Sequence, residues 1–313
     1  MKGMTKRLKT ALATRGHTEA LKSGAVKPRT FEFEFEEVPV IIKAFRRMVR
    51  SQDFDICELA MTTYLCSRAA GKPFTAIPVF PMRAFHHGAI VYNTKAGVRT
   101  PKDLEGKKVG VNRGYTVTTG LWARGVLQHE HGVDLRKVTW VLSSDEHVAE
   151  YRPPPNVVPI EPGATLEDWL KSGKIAAAIG VKVDSPDVEP LIPNATEAGF
   201  AALRERGLYP INHTVVVRND VLDANPDLAS DLFNAFADAK RAYVERLKAG
   251  QTEGADPIHS RVMETIGDPV PYGVEPNRKT LEAVVQFAVE QRILERPFSL
   301  ESLFVPGTAA LVA

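Results

Sequence analysis

FEFEFEEVPVIIKAFRRMVR, residues 31–50, changes its hydrophobic period part-way along. Phe31, Phe33 and Phe35 share one face and Glu32, Glu34 and Glu36 the other, the two-residue repeat of a strand with one packed and one wet side. Pro39 then opens a helix in which Ile41, Phe45, Met48 and Val49 form the apolar stripe, with Lys43, Arg46, Arg47 and Arg50 solvated. The same step recurs outward from there. Upstream, LKTALA (residues 8–13) reads as a short buried strand; downstream, DFDICEL (53–59) runs into a helix over residues 60–70 that Gly71 closes. TAIPVF (75–80), AIVYN (89–93), KKVGV (107–111), VTWVL (138–142) and KIAAAIGV (174–181) read as strands. A helix from about residue 116 stops at Gly132, and Thr165 with Asp168 forms the capping box of another. After Pro210, INHTVVVRND returns to strand, Asn225 and Pro226 start a long helix through Leu232, Phe236, Lys240 and Leu247, and a last helix covers residues 276–292. Strands alternating with helices throughout make an α/β fold.

A chain of 313 residues with 44% hydrophobic and 25% charged residues has enough apolar material for two lobes, and excludes a disordered or fibrous chain. The net charge of +2 is spread without a basic block, so no nucleic-acid footprint is present. No apolar run reaches the ~18–20 residues of a membrane span, and the N-terminus lacks the ~7–15 apolar residues of a secretory signal; the expectation is a cytoplasmic protein with no membrane partner. Cys57 and Cys66 stand nine apart with no second pair, which fits buried thiols better than a disulfide framework or a zinc site. No two histidines have zinc-helix spacing, and the expected sites contain neither metal nor cofactor.

TPKDLEGKKVGV (100–111) and WLKSGKIAAAIG (169–180) resemble the second-lobe signatures of type II periplasmic-binding-protein-like folds. That resemblance implies two α/β lobes around a central interlobe cleft, joined by two crossing strands near residues 93–95 and 213–217. Lobe I is then 1–94 and 213–313, and lobe II 95–212. More narrowly, AFRRMVRSQDFDICELAMTTYL, FPMRAFHHGAIVYN, GYTVTTGLWARGVLQHEHGVD and PINHTVVVR are similar to the 4,5-dihydroxyphthalate decarboxylase family, over about residues 6–247. The implied activity is cofactor-independent decarboxylation of a hydroxylated aromatic dicarboxylate, 4,5-dihydroxyphthalate giving protocatechuate and CO2. The rival is a solute-binding or sensor protein capturing a small aromatic or heterocyclic anion unchanged. Thiamine-pyrimidine synthesis on a similar fold ranks last, for want of the histidine and cysteine sets it needs. Either of the first two readings takes a small anionic aromatic partner and is compatible with a homo-oligomer.

In such a fold the ligand is expected near the carboxyl ends of strands, where helix N-termini offer amides. RGHT (15–18), CELAMTT (57–63) and NRGYTVTT (112–119) are placed there. In the last, Gly114 permits close approach and Thr116, Thr118 and Thr119 supply hydroxyls, a carboxylate cradle whose plainer role is helix capping. Arg83, just after a strand, could fork onto a carboxylate, with Arg15 and Arg113 as alternatives; the bland reading of each is a surface ion pair. His213, ahead of the apolar TVVV, is the expected proton donor to ring carbon, and His17 the second histidine; either could instead be a packed, backbone-bonded ring. Glu58 or His17 is the expected base for the phenol, although Glu58 could equally fix a histidine tautomer or pair with an arginine. Asp184 falls where these folds place a second-lobe ligand group, or is a turn residue before Pro186, and His147 is a weaker candidate. His86 and His87, being adjacent, are not expected to serve one site.

Overall fold

A computed structural model describes residues 6–254 and 256–313. By its internal contacts the chain forms two compact units. The first holds the described residues through Arg83 with His213–Leu281 and Phe298–Ala313; the second holds Ala84–Asn212 and Glu282–Pro297. Residues 84–94 and 282–297, assigned to lobe I from the sequence, thus make their contacts in the second unit.

The first unit is built on a sheet whose strands are β1 (Lys6–Ala11), β2 (Phe31–Phe35), β3 (Ile56–Ala60) and β4 (Phe74–Arg83), and a fifth that returns from the second unit. Strands of the second unit are β5 (Ile90–Asn93), β6 (Lys108–Val111), β7 (Thr139–Leu142), β8 (Val157–Pro159), β9 (Ala177–Ile179) and β10 (Val188–Pro190). The returning strand is β11 (Ile211–Arg218), and the first sheet has the order β2-β1-β3-β11-β4. Here β1 is parallel to β2 and β3, whereas β11 is antiparallel to β3, with His213 opposite Ala60 and Val215 opposite Glu58. That register puts Glu58 and His213 on one face as a diagonal pair, within reach of each other across neighbouring strands.

Helices α1 (Glu19–Lys22), α2 (Ile42–Ser51) and α3 (Met61–Ala69) follow the first three strands. In α2, Ala44, Phe45, Met48 and Val49 are buried, and the helix begins three residues after the expected Pro39. The second unit carries α4 (Thr118–His131), α5 (Leu166–Lys171) and α6 (Ala195–Arg206). Gly132 ends α4 in the left-handed region at φ 65°, and Thr165 caps α5 by accepting the Asp168 amide. Back in the first unit come α7 (Asn219–Asp223), α8 (Leu228–Lys248) and α9 (Asp256–Ile266), followed by α10 (Arg278–Glu290). Asn225 does not cap α8, because its side chain donates to the Val221 carbonyl at the end of α7; Asp227 stands at the cap position.

Each unit has its own core. In the first, Leu8, Ile56, Ile77, Val215 and Val217 of the sheet pack with Leu232, Phe233 and Phe236 of α8. In the second, Val141 and Ala178 pack with Leu166, Trp169 and Leu170 of α5. The second sheet runs β10-β5-β9-β6-β7-β8, parallel from β9 to β8 and antiparallel at β5. Cys57 and Cys66 are buried free thiols. Among the described residues no helix is long and apolar enough to cross a membrane.

Candidate functional site

Where β1 ends, the chain turns back over the end of β3, and the turn is tied down by its own groups. The Thr18 hydroxyl accepts from the Arg15 amide at 2.8 Å and donates to the Ala13 carbonyl at 2.9 Å. A Cβ at Gly16 would come within 2.3 Å of the Tyr243 ring, so only glycine lets the turn lie against α8. The turn delivers Arg15 to Glu58. Both guanidinium nitrogens donate to the carboxylate, Nη1 to Oε2 at 2.9 Å and Nη2 to Oε1 at 2.6 Å, and the Ala13 amide adds a third bond at 3.0 Å. From the other side His213 Nδ1 meets Oε1 at 2.5 Å.

Glu58 is fully buried, and burial alone would push its proton affinity up; Arg15 and His213 outweigh that and hold the carboxyl well below the usual range. A carboxylate can only accept, so His213 donates from Nδ1 and Nε2 is the nitrogen set to exchange a proton. The ring keeps 15% exposure and stands edge-on to Phe45, 5.0 Å between centroids. Glu58 lies inside β3, and the strand runs on through Ala60.

His17, 1% exposed, bonds the Pro81 carbonyl through Nε2 at 3.0 Å, and its Nδ1 has no hydrogen-bond partner among the described residues. Burial first, then the charge of Arg15, lowers its pKa to about 3, so the ring is neutral at ordinary pH. Arg83 is the last residue of β4 instead of lying beyond it, and its Nη2 donates to the Pro271 carbonyl at 2.9 Å and to the Asn277 side chain. Arg15, His17, Glu58, Arg83 and His213 are therefore all in the first unit.

The other expected residues gather in the second unit. Glu146, not singled out from the sequence, sends its carboxylate into the turn ahead of α4, where it accepts from the Tyr115 amide, from the Thr116 amide at 3.1 Å and from the Thr116 hydroxyl at 2.6 Å. A Cβ at Gly114 would lie 2.4 Å from Glu146 Oε2. The cradle expected for a substrate carboxylate thus holds one from the chain itself. Arg113 adopts φ 72°, its amide donates to Ser143 Oγ at 2.7 Å, and burial lowers its guanidinium pKa. Thr118 is buried and Thr119 half-buried in the first turn of α4, while Asp184 is exposed in its loop. His147 is buried beside Glu146 in sequence. His86 and His87 do go separate ways, His86 to Asn212 at 3.1 Å and His87 to Glu130 at 2.9 Å.

A third group escaped the sequence reading. Tyr243 of α8 donates to Asp256 Oδ1 at 2.6 Å and meets His259 Nδ1 at 2.6 Å, and the His259 ring is 6.0 Å from that of His17. Asp256 followed by Pro257 at the start of α9 was the available signal, since an acidic residue before proline commonly opens a helix.

Residues 43–151 match a family described as NMT1/THI5 like. A 4,5-dihydroxyphthalate decarboxylase of Comamonas testosteroni is 34% identical over 217 residues, 65% of this chain and 66% of that protein. One of Pseudomonas putida is 37% identical over 149 residues, covering 45% of this chain and 57% of that protein. The chain is similar to these 4,5-dihydroxyphthalate decarboxylases. Its alignments span just under two thirds of the Comamonas relative and less of the Pseudomonas one. Two solved structures agree on the fold. The alkanesulfonate-binding protein SsuA of Xanthomonas axonopodis pv. citri, bound to MOPS, superposes with a TM-score of 0.52 at 14% identity, over 97% of this chain and 99% of that one. The desulfurization enzyme DszB gives 0.53 at 15% identity over 97% of each. The architecture is the two-lobed type II periplasmic-binding-protein-like α/β fold.

Proposed function

We propose that this chain is a carbon–carbon lyase that removes a carboxylate from a hydroxylated aromatic dicarboxylate, 4,5-dihydroxyphthalate being the substrate named for its relatives. The observation that carries the reading is the Arg15–Glu58–His213 array, a fully buried carboxylate that fixes one imidazole tautomer while the ring retains an exposed edge. Solute capture needs no such proton-handling pair. The fold neighbours include solute-binding proteins, which favours capture of a small anion as the second reading.

The reaction replaces a ring carboxylate by hydrogen. As the phenol para to it loses its proton, electron density moves into the ring. The carbon bearing the carboxylate then accepts a proton from Nε2 of His213, which enters the step as the imidazolium after taking up the proton the reaction consumes, and loses aromaticity. Breaking the bond to the carboxylate releases CO2, returns the electron pair to the ring and restores the phenol on reprotonation; one proton is consumed overall. Glu58 serves as the holder of His213, since its oxygens are committed to Arg15, the Ala13 amide and the imidazole. Arg83, Arg113, Thr118 and Thr119 remain the proposed carboxylate contacts, and Asp184 a polar contact of the second lobe; Thr116 is taken up by Glu146.

The test is release of CO2 and protocatechuate from 4,5-dihydroxyphthalate by the native chain and by His213→Gln. Loss of the proton donor should lower kcat by about 10²–10⁴, the usual worth of a positioned acid, with binding retained. Full activity in the variant removes His213 from the role. Tight binding without turnover by native protein establishes the capture reading instead.

A further inference from the structure

A decarboxylation of this kind needs two proton-handling groups, one for ring carbon and one for the phenol. The array around Glu58 supplies one. Neither residue expected to be the phenol base is suited to it: Glu58 has both oxygens engaged, and His17 is sealed, with Nε2 on the Pro81 carbonyl. Next to His17 stands His259, which is half-buried, its ring 6.0 Å away.

The tautomer of His259 follows from its neighbours. Asp256 accepts from Tyr243, from the Glu253 amide at 2.8 Å and from Arg246 at 3.0 Å. Burial opposes its charge, but Tyr243, the Glu253 amide and Arg246 prevail, and its carboxyl stays below the usual range. The single Tyr243 hydroxyl proton therefore goes to Asp256. Its oxygen is left to accept from His259 Nδ1–H, and the lone pair of a neutral His259 is on Nε2. The charged and titratable groups around that ring are Asp256 of α9, Tyr243 of α8, His17 and Arg15 of the turn after β1, and Arg83 at the end of β4. Burial above all, then Arg83 and Arg15 against the opposing pull of Asp256, lowers the His259 pKa. Burial and the charges of Arg83 and Arg15 disfavour a proton on the ring, and the same two charges would attract an anion. Arg15 connects the two clusters, for it grips Glu58 and its charge also reaches His17 and His259.

On the decarboxylase reading, we propose that His259 is a second catalytic residue, taking the phenolic proton at Nε2, with Tyr243 and Asp256 as positioning residues that hold its tautomer. The phenolic O–H bond breaks to the imidazole, which becomes imidazolium and returns the proton to the oxygen after CO2 has left, so the residue is regenerated.

Two measurements test it. With 4,5-dihydroxyphthalate, His259→Gln should lower kcat about 10²-fold or more, shift KM little, and abolish the fall of kcat/KM on the acid side, where a base is lost by protonation. Tyr243→Phe, which keeps the ring against Gly16, should lower kcat less and displace that acid limb instead of removing it. An unchanged acid limb in both variants overturns the proposal. Independently of turnover, 4-nitrocatechol reports ionisation of its hydroxyl by its visible absorbance. The native chain should bind it as the phenolate at a pH where the free probe is mostly neutral, and His259→Gln should bind it neutral. Identical spectra in the two proteins, or no saturable binding to the native one, overturn the proposal. A native chain that ionises the probe yet releases no CO2 keeps His259 as a base for catechols and removes the decarboxylase reading.

Discussion

Two carboxylates, the fully buried Glu58 of the first unit and the half-buried Glu146 of the second, are satisfied in opposite ways. Glu58 is surrounded by side chains, a guanidinium fork and an imidazole. Glu146 is surrounded chiefly by backbone, the amides of Tyr115 and Thr116 with one hydroxyl. Amides are fixed by the turn that carries them and cannot exchange protons at neutral pH, so the Glu146 cradle is suited to holding a charge. Among the partners of Glu58, the His213 imidazole can exchange a proton and keeps 15% of its side chain exposed. Burying a charge is expensive, and at Glu58 that cost is offset by groups that can also do chemistry.

The comparison breaks most visibly at Glu58. Glu58→Gln leaves Arg15 without its counter-charge and should destabilise the fold by about 3–5 kcal/mol, the usual cost of removing one partner of a buried pair. Turnover should fall with it. Equal stability by chemical denaturation would mean that Arg15 and His213 find solvent or new partners without loss. Glu146→Gln should cost less, about 1–3 kcal/mol, because an amide oxygen still accepts from part of the cradle and only one bond is left unmade. A larger loss than at Glu58 would reverse the ranking of the two regions.

Acid sharpens the comparison further, since each unit also holds one buried neutral histidine. Burial lowers His17 to about 3 and His86 to about 4, from an ordinary 6.5. Below 6.5 the unfolded chain takes up protons that the folded chain refuses, so stability declines as pH falls, down to about 4 for His86 and about 3 for His17. Each contributes a slope of up to about 1.4 kcal/mol per pH unit within its window. His86→Gln should therefore flatten the curve above pH 4 and leave the His17 portion. Stability that does not change between pH 6.5 and 4 in the native chain would refute the neutral state of both rings.

The strands and helices with strong periodicity were legible in the chain. The phenylalanines of β2, the stripe of α2, the Gly132 stop and the Thr165 cap all appear where the residues indicated. What escaped notice were β8 and β10, three residues each, too short to carry a period, and α6 and α9, whose starts were not recognised. Boundaries slipped where a strand ran longer than its apolar run: β4 continues past Phe80 and takes in Arg83. His259 and Glu146 were invisible for another reason. An isolated histidine or glutamate in a polar stretch has no pattern, and its role depends on what the fold sets opposite it.

By itself, then, the sequence determined the α/β alternation and the caps and stops of its plainer helices, because these are carried by neighbouring residues and local periods. Only the tertiary structure decided that Glu58 would meet a histidine 155 positions away, that Glu146 would fill the turn before α4, and that His259 would face His17. Those pairings depend on strand register and on the direction each side chain takes from its backbone, and neither is set by the residues on either side.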